Sequence, residues 1–204
     1  VLFIVAGIFS YFLFKGNTDY TNCLKLLSDQ IQLEHKKQIK LEVKHAREYI
    51  SFKNSQAKKQ LMQQAQTAVD KAYSISSAIY QQQKNLASKP QIKALIIATL
   101  RNLRFFNGRG YYYIIRSDSQ IEMSPPLPHL EGALALEVPG IAGSVRSILE
   151  SVKNPDQAGF SQYRWYGPSD LNSKTPKISY SKVFEPFNWV IGTGDYISGF
   201  EDDL

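Results

Sequence analysis

Among its 204 residues the chain has a single cysteine, Cys23. One thiol cannot close an intrachain disulfide, and it excludes metal sites built on paired cysteines. Histidine is nearly as scarce: only His35, His45 and His129 occur, the first two in a long polar stretch remote from any predicted cleft. The sequence also lacks Gly-x-Ser-x-Gly, His-Glu-x-x-His and a phosphate-binding glycine loop, so the usual nucleophile, metal-hydrolase and nucleotide chemistries have no carrier. No catalytic residue, metal ligand or cofactor is expected, and an enzyme is the least favoured class. Charge of one sign is not concentrated either. The formal net charge is +6, but Lys36, Lys37, Lys40, Lys44, Arg47, Lys53, Lys58 and Lys59 alternate with Glu and Gln at helical spacing, as on a solvated helix face. With no zinc-finger or arginine-rich pattern, no nucleic-acid partner is expected.

Proline is absent before Pro90. From Thr18 to about Ser88 the composition favours helix, and Leu24, Leu27, Ile31, Ile39, Val43, Leu61, Ala65, Val69 and Ala72 form apolar stripes at helical spacing. A joint is expected at Lys53-Asn54-Ser55, dividing this stretch into two helices. The stripe on the first suits pairing with a second copy of the chain. Ahead of it, residues 1–14 (VLFIVAGIFSYFLF) carry no charge. About 20 apolar residues span a bilayer, so the run is short by itself. A truncated membrane helix is the first reading, and Tyr11 and Phe12 suit an interfacial position. A signal-peptide core lacks a small-x-small site after it. A buried core helix fits poorly with the polar helix that follows.

Pro90 opens a shorter helix, expected to end at Asn107-Gly108. The texture then changes. Residues 111–115 (YYYII) read as a strand, 120–123 as its partner, and 124–143 as a proline-rich loop. Residues 144–153 form a short helix, and strands follow over 159–166, 177–184 and 189–197. Helices followed by five strands with short connections make an α+β chain with a five-stranded antiparallel sheet.

Side chains two apart share a face of a strand. Tyr111 and Tyr113 therefore point together, as do Tyr163 and Trp165. Gly192 and Gly194 share a face within WVIGTGDYI, where glycine weakens a strand unless something approaches its backbone closely. Bare main chain opposite aromatic walls would enclose a small apolar chamber with a few polar tips. Lys177 and Arg104 are the candidate cations, and a small organic anion such as a short carboxylate is the expected ligand. The competing reading makes the aromatics ordinary core with satisfied polar tips, and the glycines a bend or bulge. His129, in the proline-rich loop, could donate to an anion or lie on the surface.

Five stretches in order, 107–114 (NGRGYYYI), 128–132 (PHLEG), 159–165 (GFSQYRW), 177–184 (KISYSKVF) and 189–197 (WVIGTGDYI), resemble the Cache domains, in particular the single-Cache type of bacterial extracytoplasmic sensors. The chain departs from that pattern at Ser124-Pro125, Gly167-Pro168-Ser169 and Ser198-Gly199. The candidate site read from the residues themselves comprises Arg104, Tyr111, Tyr113, His129, Tyr163, Trp165, Lys177, Tyr180, Gly192 and Gly194. The resemblance implies a PAS-like sheet. It also implies flanking membrane helices, a place in the inner membrane with the sensor on the outer side, and a cytoplasmic output domain of chemoreceptor, histidine kinase or cyclic-dinucleotide type. The expected layout is a truncated membrane helix over 1–16, a long helical stalk and lead-in over 17–106, and the ligand-binding domain over 107–204. Expected partners are the small anionic ligand, the membrane and a second copy through the long helix. The alternative function is a membrane-tethered structural or interaction module without a small-molecule ligand.

Overall fold

A computed structural model describes residues 2–106, 108–167 and 173–197. Helix α1 runs over Leu2–Gln83 without interruption, so the joint expected at Lys53-Asn54-Ser55 does not form. Asn54 and Ser55 are weak helix formers, but neither is proline or glycine, and their modest propensity cost does not break a long helix. The chain divides into two compact units, Val1–Lys53 and Asn54–Leu204. In the first, every described side chain from Ile4 onward is exposed, including Leu24, Leu27 and Ile31. No helix among the described residues is long and apolar enough to cross a membrane.

The second unit contains the sheet. Helix α2 (Lys89–Arg101) starts where the Ser88 backbone N–H donates to Gln91 Oε1 at 2.9 Å, with Pro90 in the first turn, an arrangement that satisfies an otherwise orphaned donor. It ends two turns earlier than the sequence suggests. Phe105 and Gly110 exchange backbone hydrogen bonds, and the Phe105 ring packs 4.9 Å from that of Tyr112. Gly110 has no room for a Cβ beneath Phe105 and Phe106. Aromatic packing on the sheet thus overrides a continued helix. The strands are β1 (Tyr113–Arg116), β2 (Ile121–Met123), β3 (Ala158–Tyr166), β4 (Lys174–Phe184) and β5 (Trp189–Tyr196), with α3 (Ala142–Ser151) before β3. Among the described residues, single-turn 3-10 segments lie at Pro128–Leu130, Ala135–Glu137 and Glu185–Phe187. All strand pairs are antiparallel in the order β2-β1-β5-β4-β3. The β4–β5 connection closes through Asn188 in the left-handed region (φ 53°), a conformation asparagine tolerates.

Alternation along the strands assigns the two faces. Ile114, Met123, Phe184, Trp189 and Ile191 pack with Ile92, Ile96 and Leu100 of α2 and Ala72 of α1. Tyr180 on the same face packs with Ala65 and Val69 of α1. Alanines in the α1 stripe let that helix lie close to the sheet. On the other face Tyr111, Tyr113, Ile115, Ile121 and Val190 pack with Val145, Ile148 and Val152 of α3 and its flanks. Burial of each large side chain here contributes about 1.5–3 kcal/mol. Every residue of β5 is buried, because it is the central strand with helices over both faces.

Candidate functional site

The α3 face of the sheet carries the chemistry. Across four strands one row reads Tyr113 (β1), Gly192 (β5), Ser181 (β4), Gly159 (β3), each paired in register with the next. The next row pairs Gly194, Ser179 and Ser161, and the one after pairs Tyr196, Lys177 and Tyr163. The small residues clear floor on which tyrosine rings can lie. The Tyr113 hydroxyl reaches Ser181 Oγ at 2.8 Å, and the Tyr163 hydroxyl reaches Ser179 Oγ at 2.7 Å. A Cβ on Gly192 would come within 2.6 Å of Tyr113 Cε2, and one on Gly194 within 2.6 Å of Ser179 Cα. The close approach expected at the two glycines is thus made by the protein's own Tyr113 ring and by β4.

Between this floor and α3 lies a cavity of about 20 Å³, lined by Tyr111, Tyr113, Tyr163 and Trp165 together with Ile115, Ile121, Met123, Ser124, Val145 and Ile148. A space of that size holds about one water molecule. Lys177 stands behind Tyr111 and is completely buried. Its Nζ donates to the Tyr111 hydroxyl at 2.9 Å and lies 4.1 Å and 5.0 Å from the ring centres of Tyr111 and Tyr196. Among the described residues no carboxylate forms an ion pair with it. Loss of hydration lowers its pKa from 10.5 to about 7, with Asp195 opposing the shift. Asp195 points to the opposite face of β5, where Arg109 Nη2 donates to it at 3.1 Å.

The phenols are moved the other way. Burial raises Tyr111 and Tyr163 well above the ordinary value, raises Tyr113, and pushes Tyr196 up to about 12. All four are neutral near pH 7, and the Tyr196 hydroxyl donates to the Tyr166 carbonyl. The Trp165 indole N–H is buried without a partner, as is Ser161 Oγ. The phenols of Tyr111, Tyr113 and Tyr163 and the Trp165 indole N–H face the cavity in apolar surroundings, with the Lys177 amine behind the Tyr111 hydroxyl and outside the lining. Such a set recognises an acceptor that carries negative charge.

Seven of the ten candidate residues share this face: Tyr111, Tyr113, Tyr163, Trp165, Lys177, Gly192 and Gly194. Three do not reach it. Arg104 is exposed and donates to the carbonyls of Arg101 and Leu103 at 2.7 and 2.9 Å, because α2 ends early and its guanidinium caps the freed carbonyls. His129 is exposed on the turn Pro128–Leu130. Tyr180 has odd-even parity opposite to Lys177 and so packs against α1 on the far face. Sequence reasoning missed Ser179, Ser181 and Tyr196. The signal was available: in KISYSKVF the residues in phase with Lys177 are small hydroxyls, which are unusual on a strand buried from both sides. Glu131 ties down the proline-rich loop. Arg101 donates to it twice, at 2.8 and 2.7 Å, and the Ser124 N–H donates to it at 2.8 Å.

The far face holds a wider groove of about 790 Å³, lined by Gln63, Thr67, Lys71, Arg104, Arg109 and Asp195 among others. It is open to solvent, and its buried acid already has a partner in Arg109. It is rich in donors but lacks the enclosure of the α3 side.

The Cache domain family matches residues 17–204. The chain belongs to that family. Solved structures with the same fold include a periplasmic sensor domain of a chemotaxis protein (23% identity, TM-score 0.57, covering 64% of this chain and 91% of that one). Another is a Cache chemosensory domain described for carboxylic acid recognition (21%, TM-score 0.62, 70% and 97%). A third is a methyl-accepting chemotaxis protein from Vibrio parahaemolyticus RIMD 2210633 (21%, TM-score 0.54, 72% and 98%). At these identities the likeness establishes the fold of this Cache domain, which among the described residues contains one five-stranded sheet.

Proposed function

We propose that this Cache domain is the extracytoplasmic sensor of a transmembrane receptor and binds a small organic anion, a short carboxylate, in the chamber under α3. The observation that carries the reading is Lys177, a buried ammonium whose neighbours are phenols and ring faces instead of a carboxylate. A buried charge without a partner is costly, and a carboxylate delivered by a ligand supplies the missing charge. The carboxylic acid recognition described for one structural relative supports the same class. The cavity of about 20 Å³ is smaller than a two- or three-carbon acid. Entry therefore requires its wall to move, and that wall includes Trp165 and Ser124, whose N–H is held by Glu131. A ligand that binds only the widened arrangement shifts the equilibrium toward it, which is the physical requirement for a sensor. The uncharged run 1–14 supports membrane attachment. The exposed stripe of Leu24, Leu27 and Ile31 supports pairing with a second copy, in keeping with output through α1.

Isothermal calorimetry with acetate, propionate, pyruvate and a set of amines and amino acids tests this reading. Expected is saturable binding of a short carboxylate, weakened at least tenfold in Lys177→Met at pH 6. Failure of every carboxylate with the intact domain, together with capture of a protein partner, would support the interaction-module alternative instead.

A further inference from the structure

The surroundings of Lys177 hold a further consequence for the same site, resting on the reading of the chamber as a carboxylate site. We infer that the chamber takes up its carboxylate together with one proton, so that the domain responds to the acid, anion plus proton, instead of to the anion alone.

The groups that face Lys177 come from each element packed around it. From the segment before β1 comes Tyr111, whose hydroxyl accepts a hydrogen bond from Nζ and whose ring lies beneath it. From β5 comes its register partner Tyr196, with its ring 5.0 Å away. From β3 comes its other register partner Tyr163, and next along β4 on this face is Ser179, which is hydrogen-bonded to Tyr163. Helix α3 contributes Val145 and Ile148 to the chamber, while its Arg146 and Glu150 are exposed. Asp195 is adjacent in β5 but projects to the far face, where Arg109 holds it. Every neighbour on the chamber side is thus a neutral phenol, a hydroxyl or an alkyl group. These can orient an ammonium without balancing its charge.

In such a place the neutral amine and the ammonium are close in free energy near neutral pH, and burial accordingly brings the lysine to about 7. A carboxylate arriving beside it favours the ammonium. Above neutral pH the full process is lysine amine plus carboxylate plus one solvent proton giving an ammonium–carboxylate pair, with no bond made or broken beyond the N–H. Binding of anion and of proton then help each other by the same factor. Acetate and propionate themselves stay ionised throughout this range. The pH dependence therefore belongs to the protein, and its sign is the reverse of what ionisation of the ligand's own carboxyl would give.

The test is calorimetric titration of the whole chain with propionate from pH 6 to pH 9, in two buffers of unlike ionisation enthalpy at each pH. The expected result is an affinity nearly constant below pH 7 that falls towards tenfold per pH unit above it, for a total loss of about 100-fold at pH 9. Proton uptake, from the difference in heat between buffers, rises towards one per propionate. Lys177→Arg, which stays charged throughout, binds with little pH dependence. Tight binding that is flat from pH 6 to pH 9 with no proton uptake overturns the proton link and leaves the carboxylate site standing. Retention of the full pH profile in Lys177→Arg or Lys177→Met assigns the proton elsewhere and also overturns it. No binding of acetate, propionate or pyruvate at pH 6 overturns the carboxylate reading itself. The titration of the unaltered protein decides the link even where a variant fails to fold.

Discussion

Replacing Lys177 by methionine should stabilise the domain in a strongly pH-dependent way. Methionine keeps the unbranched stem and the packing beside Tyr111 and Tyr196, and it removes the ionisable end. In the native protein burial holds this lysine at about 7 against an ordinary 10.5. Below pH 7 the group is charged in both folded and unfolded chains, so the full cost of burying the charge weighs on the fold. As pH rises from about 7 to 10.5, the folded chain releases its proton while the unfolded chain still holds one, and stability rises with pH. Each pH unit in that window is worth about 1.4 kcal/mol, so between pH 6 and pH 9.5 the native protein should gain about 3 kcal/mol from this residue alone. The range stops at pH 9.5 because the buried tyrosines act in the opposite direction above it. Their folded values are raised, so ionisation of the unfolded chain's phenols lowers stability at higher pH. Urea denaturation at half-unit intervals, without added carboxylate, measures the difference. Lys177→Met should be the more stable chain at pH 6, with its advantage shrinking by about 3 kcal/mol by pH 9.5. Two stability curves that run parallel over the whole range would refute the argument, because they would mean that Lys177 titrates as an ordinary solvated lysine.

Three further outcomes test the two faces of the sheet. Gly192→Ala places a Cβ within 2.6 Å of Tyr113 Cε2, so it should cost about 1–3 kcal/mol in urea denaturation. Adding Tyr113→Leu should recover part of that loss, whereas an unchanged midpoint in the single variant would show that the ring does not press on the glycine. Trp165→Phe removes the unpartnered indole N–H and should weaken propionate severalfold with circular dichroism unchanged. Tyr180→Phe, on the far face, should leave the affinity within twofold, and a larger loss there would contradict the division of the two faces.

Local pattern made much of this Cache domain legible in advance. Proline and glycine punctuation, β-branched and aromatic runs and alternation gave five antiparallel strands close to their observed bounds, and period-two reasoning paired Tyr111 with Tyr113, Tyr163 with Trp165 and Gly192 with Gly194. These are short-range properties: once a segment is a strand, its own geometry dictates which side chains share a face. Other expectations failed where distant residues intervene. The end of α2 was misplaced because Phe105 and Phe106 pack on the sheet and on Gly110. The joint at Lys53-Asn54-Ser55 did not form because weak propensity alone does not interrupt a long helix.

What surrounds each group was decided only by the tertiary structure. The chain order does not reveal that the space over Gly192 is filled by Tyr113, that Ser179 and Ser181 receive the phenols, or that Arg104 turns to its own helix end. Nor does it reveal that Lys177 meets tyrosines while Asp195, so near along β5, serves Arg109 on the far side. Alternation says which side chains travel together. The register between strands, set by packing of both sheet faces against helices remote in the chain, determines which of them meet and whether a buried charge finds a partner.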